Sequence, residues 1–272
     1  MDPFDFANRT VFVAGGTSGI NLAIAEAFAK RGAKMAVMSR NRERVEAAVK
    51  QLKSHGGKAV GHAADVRDAA AVAGALAAVH NELGDIDILI SGAAGNFPAA
   101  VLGMSPNAFK AVVDIDLLGT FNVVRSSHQY LKKPGAVVIN ISAPQSVHAQ
   151  PLQAHVCAAK AGVDMLTRVL AIEWGGDGIR VNSIIPGPID DTEGMARLAP
   201  SAEIRTSVQK ALPLRRFGTK AEVADLALFL ASPMAAYITG AIVPVDGGLT
   251  ASGPRGLAHA ALQTASGSAG GP

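Results

Sequence analysis

The chain alternates between two kinds of segment, and this alternation leaves few folds open. Short apolar runs, often β-branched, are each followed by a longer stretch with apolar residues at helical spacing. The short runs are TVFVAG (Thr10–Gly15), KMAVMS (Lys34–Ser39), KAVGHAADV (Lys58–Val66), IDILISGAAG (Ile86–Gly95), AVVINIS (Ala136–Ser142), IRVNSII (Ile179–Ile185) and AIVPV (Ala241–Val245). The helical stretches are Leu22–Gly32, Arg42–Gly57, Ala69–Gly84, Pro106–Tyr130, Leu152–Trp174 and Lys220–Ala231. Strands separated by helices of about 10–15 residues imply βαβ units, because parallel neighbours need a crossover that carries the chain back to its starting edge. Ile86–Gly95 is nearly all apolar, as a strand covered on both faces should be. The expected fold is α/β: a doubly wound, seven-stranded parallel sheet, Rossmann-like, with helices on both faces.

With 272 residues, 49% of them hydrophobic, the chain can bury one sizeable core. The expectation is a single domain over residues 1–252. The tail 253–272 (GPRGLAHAALQTASGSAGGP) is rich in Gly, Ala and Ser and is expected to be flexible. Residues 187–213 show no clear periodicity and are expected to form an irregular lid over a site. The net charge of +3 comes without a Lys/Arg block or a basic stripe interleaved with aromatics, which argues against nucleic acid. The single cysteine, Cys157, forbids an internal disulfide and fits a reducing compartment. No apolar run approaches about 18 residues, so no membrane span is expected. The first residues, MDPFDFANRT, lack the apolar core of a signal peptide, and the final SAGGP does not match a peroxisomal address. Cytoplasmic localisation follows as the expectation. There is no His/Cys/Asp cluster with metal-ligand spacing and no G-x-S-x-G nucleophile turn.

AGGTSGIN (Ala14–Asn21) joins the first strand to the first helix, where a parallel sheet places its phosphate site. Gly15, Gly16 and Gly19 allow a tight turn and close approach of a ligand. Thr17, Ser18 and Ile20 complete a loop whose backbone N–H groups, at a helix start, suit a pyrophosphate. At the end of the second strand stand Ser39 and Arg40, where an acidic residue would bind the ribose of NAD. Arginine there favours a 2′-phosphate, and the absent carboxylate removes the repulsion it would meet. The cofactor expected is NADPH (NADP+).

The turn Gly15-x-x-x-Gly19-x-Asn21 resembles that of the short-chain dehydrogenase/reductase family, with Ala14 in place of threonine and Asn21 in place of the last glycine. The resemblance runs over roughly residues 8 to 250. It includes Asp65-Val66, which implies an adenine contact, Ala93-Ala94-Gly95, Lys160, the segment Pro186-Gly187 with Ile189 beyond it, and VDGG (Val245–Gly248). It implies that Asp65, Val66, Ala93, Ala94, Gly95, Lys160, Pro186, Gly187 and Ile189 hold the cofactor, and that the chain is a homotetramer or homodimer with the helix at Cys157–Trp174 in an interface. Asn21 is expected to push the first helix outward and to weaken cofactor binding.

That family uses an Asn-Ser-Tyr-Lys group. The matching positions here are Asp116, Ala143, Val156 and Lys160, so only the lysine remains. Valine and alanine donate no protons, which argues against interconversion of a ketone and an alcohol. AAGNF (Ala93–Phe97), DIDLLGTFNV (Asp114–Val123), LQAHVCAAKAGVD (Leu152–Asp164) and PGPIDDTEGMARL (Pro186–Leu198) together resemble 2,4-dienoyl-CoA reductases, the peroxisomal type in particular. The resemblance implies an acyl-CoA substrate and an active pair of Lys160 and Asp116. Lys160 would hold the nicotinamide ribose and keep positive charge near a developing dienolate. Asp116, protonated or paired with Lys160, would relay a proton through water. Asp164, four residues after Lys160, is a further candidate through an i,i+4 contact. Asn96, Phe97, Gln145 and Gln150 are candidate substrate contacts, with His148 and His155 as weaker ones. Arg197, Arg205, Lys210, Arg215 and Arg216 are possible contributors to a CoA site. Two other readings stay open: a reductase of the same family acting on an enoyl or 3-oxoacyl substrate with another proton donor, and a protein that binds NADPH without turnover.

Overall fold

Strand β1 (Thr10–Ala14) is buried along its whole length, as a strand covered on both faces must be. In the computed structural model, which describes residues 2–252, it lies inside the sheet, the third strand from one edge. The other strands are β2 (Lys34–Ser39), β3 (Ala59–Ala63), β4 (Ile88–Ser91), β5 (Val137–Ile141), β6 (Arg180–Pro186) and β7 (Ile242–Val245). Their order is β3-β2-β1-β4-β5-β6-β7, and every neighbouring pair is parallel. The doubly wound seven-stranded sheet is therefore as the alternation predicts. The expected flexible tail, 253–272, lies outside the described residues.

The pleat sends alternate side chains to opposite faces. Val11 and Val13 of β1 enter one core, with Phe28, Met35, Ile88, Ile139 and Leu228, beneath α1 (Gly19–Ala29), α2 (Arg42–Lys53) and α9 (Lys220–Ala231). Phe12 and Ala14 enter the other, with Met38, Leu76, Leu89, Val138 and Val181. That second face is covered by α3 (Ala69–Leu83), α5 (Gly119–Ser127) and α6 (Ala154–Trp174).

Two sequence expectations are corrected. The stretch Pro106–Tyr130 is not one α-helix. It begins as α4 (Pro106–Val113), passes through a π-helical turn at Asp114–Leu118, continues as α5, and ends in a 3-10 turn at His128–Tyr130. The widened turn is closed by the Gly119 N–H donating to the Asp114 carbonyl. Such π turns insert one residue into a helix and collect at functional sites.

Residues 187–213 are not irregular either. They carry α7 (Glu193–Leu198) and α8 (Ala202–Ala211), started by the side chains of Thr192 and Ser201, which accept from the N–H groups of Met195 and Ile204. Both helices are short, and this hid their periodicity. Met195, Ala199, Leu212 and Phe217 give this lid a small core of its own. A bridge between Ile189 and Gly218 joins its two ends.

Candidate active site

The strand order reverses direction between β1 and β4, and in such sheets ligands bind at that crevice, beyond the carboxyl ends of the strands. The glycine turn forms one wall. Gly15 (φ +76°) and Gly19 (φ +57°) adopt left-handed backbone, and a Cβ on Gly15 would lie 2.9 Å from the backbone of Ala93. Helix α1 starts at Gly19, three residues before its apolar spacing becomes legible. Ser18 at its N-cap makes no side-chain cap bond, so the first-turn N–H groups keep their capacity for an anion. Thr17, Gly19 and Ile20 are half-buried and Ser18 is exposed along this wall.

Asn21, expected to push α1 outward, is taken up between the glycine turn and the end of β4. Its side-chain Nδ2 donates to the Gly92 carbonyl at 2.7 Å and lies 3.4 Å from the Gly15 carbonyl. The room comes from Gly92, where a Cβ would sit 2.3 Å from Asn21 Oδ1.

At the end of β2, Ser39 is half-buried and Arg40 is exposed. The next residue, Asn41, caps α2 by accepting from the Arg44 N–H at 2.9 Å. Opposite lies Asp65, gripped in bidentate fashion by Arg67 at 2.6–3.1 Å. These hydrogen bonds hold the Asp65 carboxyl below the usual carboxylate range against the opposing effect of burial, and the charge of Arg40 adds to the shift. Val66 is buried, and its carbonyl accepts from Asn122 at 2.9 Å. Asn122 was missed from the sequence. The available signal was an amide beside the apolar pair Val123-Val124 in α5.

Ala93, Ala94 and Gly95 leave β4 on the far side of the crevice. The Gly95 N–H donates to Asp116 Oδ1 at 2.7 Å. Asp116 sits in the π turn, 1% exposed. Its Oδ2 lies 3.3 Å from Lys160 Nζ, and Lys160 also donates to the Ile141 carbonyl at 3.0 Å. The ion pair is close but poorly aligned for a hydrogen bond, and Oδ2 has no hydrogen-bond partner among the described residues. Val156, where the family carries tyrosine, is 3% exposed, and Ala143 stands at the serine position.

Asp164 is corrected. It does not meet Lys160. It accepts from Ser183 Oγ at 3.0 Å, facing β6. Helical side chains lean toward the helix N-terminus. Lys160 reaches toward the end of β5, and Asp164, although on the same face, is left one turn behind. Its place is structural, next to the Asn140–Thr167 bond at 2.9 Å.

Beyond Gly95, Asn96 and Phe97 are exposed, and the Phe97 ring stands edge-on to His155 at 4.5 Å. His155 is fully buried, and neither ring nitrogen has a hydrogen-bond partner among the described residues. Gln145 donates to Gln153 Oε1 at 2.7 Å, so Gln145 supports the loop before α6. Gln150 is exposed. His148 is not a solvated loop histidine; it bonds the Thr250 carbonyl at 2.8 Å. Pro186 ends β6. Gly187 passes so close to Asp246 that a Cβ would sit 2.5 Å from its Cα, and Ile189 is buried at the lid bridge.

The lid is fastened by Arg205–Asp190 (2.6 Å), Lys220–Asp191 (2.6 Å) and Arg216–Glu222 (2.5 Å), and Glu193 reaches Arg44 of α2 at 3.7 Å. Arg205 and Arg216 are thus engaged within the lid and at its hinge. Arg216 holds the Glu222 carboxyl down at about 2. A carboxyl lowered in this way contributes above its ordinary value and loses the contribution as pH falls through about 2. The hinge pair therefore stays formed through the neutral range. Among the described residues no group of His, Cys, Asp and Glu could hold a metal ion.

A family model described as enoyl-(acyl carrier protein) reductase matches residues 14–250. A rat protein named peroxisomal 2,4-dienoyl-CoA reductase [(3E)-enoyl-CoA-producing] is 46% identical over 244 residues, covering 89% of this chain and 83% of the relative. An Arabidopsis thaliana protein of the same name is 42% identical over 265 residues, covering 94% and 89%. Among solved structures, a short chain dehydrogenase from Bacillus anthracis superposes with a TM-score of 0.80 at 35% identity, covering 89% of this chain and 96% of that one.

Proposed function

The chain belongs to the short-chain dehydrogenase/reductase family and is an oxidoreductase, and we propose that it reduces 2,4-dienoyl-CoA thioesters with NADPH. The observation that carries this reading is the buried Asp116–Lys160 pair beside Val156. The site keeps a cation and a carboxyl but lacks the hydroxyl that ketone reduction needs.

The residues present fit a nicotinamide dinucleotide. The glycine turn excludes side chains where a pyrophosphate would lie, and α1 presents N–H groups beside it. Gly15 to Ile20 would take the pyrophosphate, Ser39 and Arg40 the 2′-phosphate, Asp65 and Val66 the adenine. Ala93 to Gly95, Lys160, Pro186, Gly187 and Ile189 would take the nicotinamide half. Bound NADPH would supply the hydride, delivered to C5 of the dienoyl group. Lys160 then holds positive charge near the negative charge that spreads through the π-system to the thioester oxygen. Asp116 Oδ1 is occupied by the Gly95 N–H, so Oδ2 is the atom at which a proton is held and passed, through water, to carbon. Delivery to C2 yields the 3-enoyl thioester, in keeping with the name of the rat relative. Asn96 and Phe97 lie on the acyl side. Asp164 has no place in this scheme.

The test is NADPH oxidation by the purified protein with 2,4-dienoyl-CoA and, separately, a 3-ketoacyl-CoA. In D2O the dienoyl product should carry deuterium at C2. Turnover of the ketoacyl substrate alone, or deuterium at C4, would sink the proposed chemistry.

The preference for NADPH rests on Arg40. Arg40→Ala should raise the KM for NADPH about tenfold or more, the scale of a lost charge-assisted hydrogen bond, and leave that for NADH nearly unchanged. An equal change for both cofactors would place the phosphate contact elsewhere.

Homo-oligomer formation is part of the same proposal. Met165, Val169 and Ile172 form an exposed stripe on α6 (57%, 40% and 82% exposed), and Leu118 of the π turn and Phe121 of α5 are exposed as well. Apolar area of this kind on one helix face fits a second copy of the chain. Ile172→Glu should shift sedimentation toward smaller species, and an unchanged profile would remove this stripe from the interface. No helix among the described residues is long and apolar enough to cross a membrane. The cytoplasm is the proposed compartment, whereas the rat and plant relatives carry a peroxisomal name.

A further inference from the structure

Asn21 lies at the point where the strand order reverses, and it is half-buried between the two walls of the crevice. Its Nδ2 bonds the Gly92 carbonyl at 2.7 Å, at the end of β4, and lies 3.4 Å from the Gly15 carbonyl in the glycine turn. The reverse orientation of the amide would set Oδ1 against the Gly92 oxygen, two acceptors face to face, so the assignment is fixed by chemistry. Oδ1 is buried without a hydrogen-bond partner among the described residues. A buried unpartnered acceptor costs stability, and Asn21 bears that cost in order to place its donor.

Gly92 completes the arrangement. A Cβ at this position would lie 2.3–2.6 Å from three atoms of the Asn21 amide. Its glycine is required by the neighbouring side chain, since Gly92 is absent from the positive-φ residues. Asn21 and Gly92 are therefore reciprocal: the volume missing at one is filled by the other. Three residues beyond Gly92, the Gly95 N–H bonds Asp116, which faces Lys160. Asn21 thus sets the distance between the phosphate-binding turn and the segment that carries the nicotinamide-side residues.

We propose that Asn21 is a positioning residue for the dinucleotide, acting as a wedge that locks the glycine turn to the end of β4, and that it does so only because residue 92 is glycine. This rests on the nicotinamide-dinucleotide reading of the site and not on the identity of the acyl substrate.

The test measures the NADPH dissociation constant of the full chain by calorimetry, with no acyl substrate present, together with Tm. Gly92→Ala should raise Kd about tenfold or more, and adding Asn21→Gly should recover part of that loss while leaving Kd about threefold or more above the unmodified chain, because the clash is relieved but the donor is gone, a coupling that independent sites would not show. A double variant that binds no better than Gly92→Ala, or a Gly92→Ala chain that binds normally, would overturn the proposal. Should Gly92→Ala fail to fold, Asn21→Leu keeps the bulk and removes the donor. Its Kd should rise about threefold or more with Tm nearly unchanged, and normal binding would overturn the proposal equally. In turnover assays the KM for NADPH should rise while that for the acyl substrate stays within about twofold. A general packing defect would move both. Failure of the dienoyl reading would leave these Kd differences in place.

Discussion

Lys160→Ala is expected to lower kcat for dienoyl-CoA reduction about 10²–10³-fold, the scale of one lost electrostatic donor in a closed site. It should also weaken NADPH binding and destabilise the fold. The three effects share one cause. Lys160 is 5% exposed, and among the described residues its Nζ has two polar partners, the Ile141 carbonyl and Asp116 Oδ2. Truncation leaves a carboxylate that is 1% exposed with, among the described residues, the Gly95 N–H as its hydrogen-bond donor. Removing one partner of a buried pair costs about 3–5 kcal/mol. For a chain of this size that corresponds to a Tm lower by roughly 6–20 °C. Steady-state kinetics, calorimetric NADPH titration and thermal unfolding on one preparation would check all three. A variant keeping more than about a tenth of kcat would remove Lys160 from the chemistry.

Asp116→Asn separates charge from shape. The amide can still accept from the Gly95 N–H through Oδ1, but the atom facing Lys160 becomes a donor that neither holds an acidic proton nor pairs with the ammonium. We expect kcat to fall about 10²–10⁴-fold, as for loss of a general acid, with NADPH affinity within about threefold of the unmodified chain. This pattern differs from that of Lys160→Ala, where cofactor affinity falls as well. If dienoyl-CoA reduction survives Asp116→Asn unchanged, the proton passes by another route. The buried His155, behind Phe97, would be the next group to substitute.

The sheet was legible because each strand carries its pattern locally. Val11 to Ala14 and Ile88 to Ile90 are apolar throughout and fully covered, and the glycines that end helices mark the crossovers. The glycine turn was legible because its position after the first strand gives it meaning. What stayed hidden depended on the third dimension or on a small change of register. The short lid helices offered too few turns to show a period. Asn21 read as an obstruction because its partner, Gly92, lies on a distant strand. Asp164 looked like a partner of Lys160 from helical spacing alone, which says that two residues share a face and not that their side chains lean together. Its actual partner, Ser183, comes from β6.

The π turn has a wider consequence. It interrupts the regular winding between α4 and α5, and the two halves face different neighbours. The first half, α4, packs against α6, whereas the second half, α5, packs against α3. Asp116 sits at the interruption and is aimed by it. A one-residue deletion there would close the widened turn into regular winding and remove the displacement that aims Asp116. The aim of the carboxyl toward Lys160 is therefore stored less in the identity of a side chain than in a count of residues, and a search of relatives for this site should ask how many residues the turn contains as well as which ones.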